Sequence, residues 1–269
     1  MGRGRMTAIA TVIFDYGGVL ADVQKPAHGF EAMGHFVHRL IPHSRLSPAI
    51  ISEDIEGAWG AYDGWKRLQN RRRIPLEMSQ DTFWDLVTYG WQDVERDVIL
   101  ANTARLTQEL ELQVISRPAN PGVAQVLKTL RHGGKKLVLA SNCLSGAAAR
   151  VQLRHDGLLE LFDATLFSDE VGYRKPGPQL LEEALAAVQT PAHEACFVGD
   201  RLDRDILAGR RAGLALCILR QAPSGPGRPV RGVEPDHRIK DLEELLLLPE
   251  LGRVGTPTPD SPLDRSAFN

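Results

Sequence analysis

Five side chains stand where they could do chemistry together: Asp15, Ser141, Lys175, Asp200 and Asp205. Asp15 ends a short apolar run in VIFDYGGVL, Ser141 ends LVLAS, and Asp200 ends FVGD, with Asp205 five residues further on. Lys175 lies between the last two runs, in VGYRKPGP. Carboxylates gathered in one crevice desolvate and repel each other, so they require a counter-charge. Oxygen ligands with no Cys or His among them favour Mg²⁺. Lys175 adds a second positive charge and Ser141 a hydrogen-bond donor. Such a pocket around a nucleophilic carboxylate suits a phosphoryl group, with its charged equatorial oxygens. Asp15 would attack phosphorus, and water would hydrolyse the resulting aspartyl-phosphate.

The elements that must position these residues are legible as buried strands. Ala10–Phe14, Lys136–Ala140 and Ala195–Val198 are short, continuous apolar runs bounded by polar or Gly-containing turns; Ala215–Leu219 and Ala164–Phe167 are a fourth and fifth. Strands this uniformly apolar are covered on both faces, as in parallel sheets. Helical patterns lie between them, over Gly122–His132, Gly177–Val188 and Asp203–Ala212, the first ending at Gly133–Gly134 and the last at Gly213. The expected fold is α/β, a doubly wound, Rossmann-like parallel sheet whose ligands sit at the carboxyl ends of the strands.

Residues 23–118 have helical periodicity and no convincing strand, and they hold Trp59, Trp65, Trp84 and Trp91. They read as a helical cap inserted into a core of residues 8–22 plus 119–250, with PANP at Pro118–Pro121 marking the return. Asp241–Leu248 reads as a last short helix, and residues 251–269 as a disordered tail.

A formal net charge of −2 and the lack of long basic runs argue against a nucleic-acid partner. No apolar stretch has membrane-spanning length, and the opening MGRGRMTAIATVIFDYGG is too short in its apolar part for a secretory signal. The odd count of three cysteines, Cys143, Cys196 and Cys217, widely spaced, fits free thiols in a reducing cytoplasm. Oligomeric state is not encoded in any visible motif.

The four motifs, taken in order, resemble those of the haloacid dehalogenase superfamily, whose members are mostly phosphatases. Asp15-Tyr16-Gly17-Gly18-Val19-Leu20 is similar to its opening D-x-D-G-[TV]-[LV], LVLASN to its Ser/Thr motif, RKP to its Lys motif, and Gly199-Asp200 with Asp205 to its G-D-x₄-D. The resemblance implies Asp15 as nucleophile and metal ligand, with the Gly17 carbonyl and Asp200 as further Mg²⁺ ligands. Asp205 would hold a metal-bound water or Lys175. Ser141, Asn142 and Lys175 would clamp the phosphate of a small phosphorylated substrate. The departure is Gly17, where the common pattern has a second Asp that protonates the leaving group, help typically worth about 10²–10⁴ in rate. Three accounts stay open: a replacement acid such as Asp22, Asp203 or a cap residue; a substrate with a good leaving group; or a slow, ligand-binding relative. Carbon–halogen hydrolysis is a further alternative, disfavoured by the intact metal motif.

Other residues read more plainly. The tryptophans fall at helical spacings suited to cap packing, Tyr16 suits packing at the cap entrance, and Cys143 suits a small buried thiol. Arg71–Arg73 suit either a solvated turn or a second anionic group of the substrate.

Overall fold

The computed structural model describes residues 8–252. The basic opening and the tail beyond residue 252 lie outside the described residues. Leu251, assigned by sequence to the tail, instead packs into the core at 1% exposure.

Six strands form one sheet: β1 (Thr11–Phe14), β2 (Lys136–Ser141), β3 (Ala164–Phe167), β4 (Ala195–Gly199), β5 (Leu216–Arg220) and β6 (His237–Ile239). Their order is β3-β2-β1-β4-β5-β6 and every neighbouring pair is parallel. The order reverses direction at β1, and such a switch point opens a crevice beyond the strand ends. Alternate residues face opposite layers. Val12, Phe14, Leu137 and Leu139 pack on one face, and Ile13, Val138 and Ala140 on the other, so both faces of each strand are dry. That explains why the runs read as continuous rather than alternating.

The sequence assigns strand ends to within one residue and misses β6 altogether. β6 has three residues, of which only Ile239 is buried, too short and polar a signal to detect. The helix expected over Asp203–Ala212 opens instead as a wider, π-type turn, Leu202–Ile206.

Among the described residues there are also ten α-helices. Five lie in the insertion: α1 (Gly29–His38), α2 (Pro48–Gln69), α3 (Gln80–Val87), α4 (Asp93–Leu100) and α5 (Thr103–Val114). The others are α6 (Val123–His132), α7 (Gly146–His155), α8 (Ser168–Val171), α9 (Gln179–Ala187) and α10 (Leu207–Arg211). The long α2 begins as its sequence dictates: the Ser47 hydroxyl accepts the Ile50 N–H, and Pro48 stands at a first-turn position where no N–H is needed. The insertion has its own apolar centre around Met33, Ile51, Trp59, Phe83, Trp84 and Leu110, with rings meeting edge to face. Its two connections to the sheet pair with each other, Gln24 N–H to Ser116 O at 2.9 Å and Ser116 N–H to Gln24 O at 3.0 Å. Among the described residues no helix is long and apolar enough to cross a membrane.

Candidate active site

β1 delivers Asp15 to the middle of the sheet. The register pairs Phe14 with Leu139 of β2 and with Val198 of β4, so Asp15, Ser141 and Asp200 leave the sheet along one edge. A cavity of about 530 Å³ opens there. Asp15, Gly17, Ser141, Asn142 and Asp200 line it from the core side, and Lys66 of α2 lines it from the insertion. Gly18 is required at its position for two reasons. Its φ is +79°, and a Cβ there would overlap the Asp200 carboxylate.

Lys175 is fully buried, and its ammonium group is saturated. Nζ lies 2.9 Å from Asp15 Oδ1, 2.8 Å from Asp205 Oδ1 and 3.0 Å from the Ala140 carbonyl, one acceptor for each of its three hydrogens. Asn142 fixes the backbone beneath it: its Nδ2 donates to Lys175 O and its Oδ1 accepts from Lys175 N–H, both at 2.9 Å. The Asn142 carboxamide, expected to clamp phosphate, is thus already engaged with the Lys175 backbone. Ser141 keeps an unengaged hydroxyl on the cavity lining, at 7% exposure.

One residue that the sequence reading overlooked stands at the centre. Arg204 Nη2 lies 2.9 Å from Asp15 Oδ2, 2.8 Å from Asp200 Oδ1 and 3.1 Å from Asp205 Oδ2. Its place among the three acids of GDRLDRD gave no signal by itself; the wide Leu202–Ile206 turn carries it to the same side as Asp200 and Asp205. Burial drives the Asp200 carboxyl up to about 7, against the pull of Arg204. Burial also acts to raise Asp205, but Arg204 and Lys175 outweigh it and hold that carboxyl well below the usual range.

Asp15, Asp200 and Asp205 each offer an oxygen, and the three lie within 4.8 Å of one another. Three hard anionic oxygens at that spacing fit a divalent cation such as Mg²⁺. The same three carboxylates are the partners of Arg204.

The two acids expected as substitutes for the missing second Asp separate clearly. Asp22 lines the cavity, whereas Asp203 is not among the lining residues and lies 3.6 Å from Arg201 Nε, beside Gly227. Arg71, Arg72 and Arg73 are exposed and do not line the cavity. Lys66 and Arg117 do, and neither was anticipated. Lys66 lies above the Tyr62 ring at 4.6 Å, and burial pulls its pKa down. Cys143, Cys196 and Cys217 are buried free thiols, each pushed up by burial.

A parallel sheet with a helical insertion after its first strand, and acids at the ends of β1 and β4, defines a doubly wound, Rossmann-like α/β class. The model of the haloacid dehalogenase-like hydrolase family matches residues 9–213, and the chain belongs to that family. It is 34% identical over 125 residues to pyrophosphatase PpaX of Halalkalibacterium halodurans, covering 46% of this chain and 57% of that protein. It is 34% identical over 130 residues to pyrimidine 5'-nucleotidase YjjG of Escherichia coli, covering 46% of this chain and 54% of that protein. The chain thus spans about half the length of the curated relatives it matches. Among solved structures, the 2-haloacid dehalogenase of Pseudomonas syringae pv. Tomato DC3000 superposes with a TM-score of 0.59 at 21% identity, covering 90% of this chain and 97% of that one, a likeness of fold.

Proposed function

We propose that the protein hydrolyses a small phosphomonoester through an aspartyl-phosphate on Asp15. The observation that carries this reading is the placement of Asp15. It is a carboxylate 3% exposed, on the cavity lining, with each oxygen held by a separate cation, Oδ1 by Lys175 and Oδ2 by Arg204. Lys175, fully buried, fixes the carboxylate through Oδ1, so attack needs little reorganisation. The Ser141 hydroxyl is available to a phosphoryl oxygen, and buried Lys175 supplies positive charge where negative charge accumulates in transfer. Mg²⁺ held by Asp15, Asp200 and Asp205, with the Gly17 carbonyl, would neutralise phosphoryl charge when bound. Asp22, which lines the cavity, would protonate the leaving oxygen.

The named activities of the pyrophosphatase and nucleotidase relatives support a phosphorylated substrate. The cavity's 530 Å³ suits a small one. The insertion, read as a cap, supplies Lys66 to that cavity and so takes part in selecting it. The three free, buried cysteines support a cytoplasmic location.

The test is phosphate release from p-nitrophenyl phosphate and a panel of natural phosphomonoesters, with and without Mg²⁺, beside Asp15→Asn. Release that depends on Mg²⁺ and is lost in Asp15→Asn is the expected result. No release from any ester would overturn the reading.

A further inference from the structure

We infer that Arg204 is a tethered counter-cation, holding the position from which a divalent cation would bridge the three carboxylates, so that cation binding and Arg204 release are a single exchange. The inference rests on the reading of this cluster as the cation site of the proposed reaction. One guanidinium nitrogen meets an oxygen of Asp15, of Asp200 and of Asp205 at 2.9, 2.8 and 3.1 Å, and Nε adds a contact to Asp205 Oδ1 at 3.2 Å. These three residues are also the ones whose oxygens converge within 4.8 Å of one another. A hard cation and a guanidinium nitrogen compete for the same lone pairs.

Charge points the same way. The three carboxyl groups face two cations, Lys175 and Arg204, so the buried cluster carries at most one net negative charge. Without Arg204 it would carry at most two. An incoming divalent ion therefore meets a site already largely neutralised. Lys175 cannot yield, because it is fully buried and all three of its hydrogens are engaged. Arg204 can. Its side chain is 27% exposed, and it lines the open cavity.

The tether makes the competition strong. Arg204 is four residues from Asp200 and adjacent to Asp205, so its effective concentration at the cluster does not fall when it lets go. A ligand whose competent state is populated only in part binds with an affinity reduced by that fraction. If the cluster is free of Arg204 about one-tenth of the time, Mg²⁺ binds about tenfold more weakly than the carboxylates alone would allow.

The experiment is calorimetric titration of Mg²⁺ into the full-length wild type, Arg204→Gln and Arg204→Lys, without substrate. Arg204→Gln should bind about tenfold more tightly or better, and Arg204→Lys, which keeps the charge, should stay near wild type. A second measurement needs no variant: Mg²⁺ should increase the labelling of Arg204 by phenylglyoxal, read by mass spectrometry. Equal or weaker Mg²⁺ binding in Arg204→Gln, or Arg204 labelling unchanged or reduced by Mg²⁺, would overturn the exchange. Both readouts are independent of turnover. Tight binding by Arg204→Gln with no phosphate release by the wild type would sink the phosphatase reading and leave the exchange standing. Release by the wild type with unaltered Mg²⁺ affinity in Arg204→Gln would do the reverse.

Discussion

Glu77 of the insertion and Arg174 of the core form a buried ion pair, with Nη1 2.6 Å from Oε1 and 2.8 Å from Oε2 and side-chain exposures of 1% for Glu77 and 5% for Arg174. Ser168 Oγ and Tyr62 OH donate to the same carboxylate at 2.6 and 3.1 Å. Backbone bonds flank the pair, Glu77 N–H to Gly172 O at 3.0 Å and Arg174 N–H to Pro75 O at 3.1 Å. The insertion therefore grips the loop that presents Lys175, at a point remote in sequence from its two connections. On the Ser141 side, Leu144 packs into the insertion's apolar centre, and its N–H donates to Glu111 Oε1 at 2.8 Å.

Removing Glu77 should thus disturb both stability and Lys175. Glu77→Ala leaves Arg174 buried without its partner, a change that costs about 3–5 kcal/mol. Urea melts would read that loss. With substrates that are turned over, kcat should fall more than KM rises, because Lys175 serves the transition state more than binding. A full stability loss with unaltered kcat would make the pair structural only.

Lys175→Met keeps the volume and removes the charge between Asp15 and Asp205. The expected loss at neutral pH is again about 3–5 kcal/mol, from uncompensated buried carboxylates. In the wild type Asp205 is held below its unfolded range, so its contribution is present above that range and is lost as pH falls through the folded value. In the variant Arg204 alone opposes the burial of Asp205, so that contribution above the unfolded range is smaller. Thermal melts from pH 4 to 8 should show the gap to wild type widening with pH; a constant gap would contradict this.

The core of this arrangement was legible because buried parallel strands are continuous apolar runs and their polar ends are abrupt. Asp15, Ser141 and Asp200 each follow such a run directly. Arg204 was not legible, because a charge beside two acids reads as an exposed helical face, and only the wide turn over Leu202–Ile206 directs it inward. Glu77, Lys66 and Arg117 were missed for a different reason. Their roles depend on how the inserted helices sit against the sheet, and helical periodicity specifies a buried face without specifying what it meets. β6 was missed because it has three residues, and its pairing with β5 rather than its composition makes it a strand.

Asp169 offers a pH test away from the cluster. Burial raises its carboxyl to about 6, opposed by hydrogen bonds from Gly146 N–H, with Glu170 and Glu111 adding to the rise. The folded state thus binds its proton more tightly than the unfolded chain does. That contribution is complete below about pH 4 and is lost as pH rises through about 6. Asp169→Asn cannot titrate, so its melting temperature should change less between pH 4 and 7 than that of the wild type. Parallel curves would assign the pH dependence to other groups.

Asp22→Asn should separate leaving groups. The p-nitrophenolate anion needs no proton at neutral pH, whereas an alkoxide does. The variant should therefore keep p-nitrophenyl phosphate turnover and lose about 10²–10⁴ with alkyl phosphomonoesters. Equal losses on both would place Asp22 in binding or folding instead.

Gly17 supplies the converse experiment. Its φ is not in the left-handed region, and a Cβ built there meets only Val23 Cγ2, at 2.7 Å. Val23 is 52% exposed and can be trimmed without opening a buried cavity. Gly17→Asp alone should cost about 1–3 kcal/mol through overpacking, and Val23→Ala should relieve it. In the Asp22→Asn background, Gly17→Asp with Val23→Ala places a carboxyl two residues beyond the nucleophile, on the same cavity. Turnover of alkyl phosphomonoesters should recover by about tenfold or more, within the range that general acid help supplies. Turnover of p-nitrophenyl phosphate should not change, since it has no proton to gain from the new acid. A folded triple variant with no recovery would mean that proton delivery is not what Asp22→Asn removes, and that the role of Asp22 lies in holding substrate.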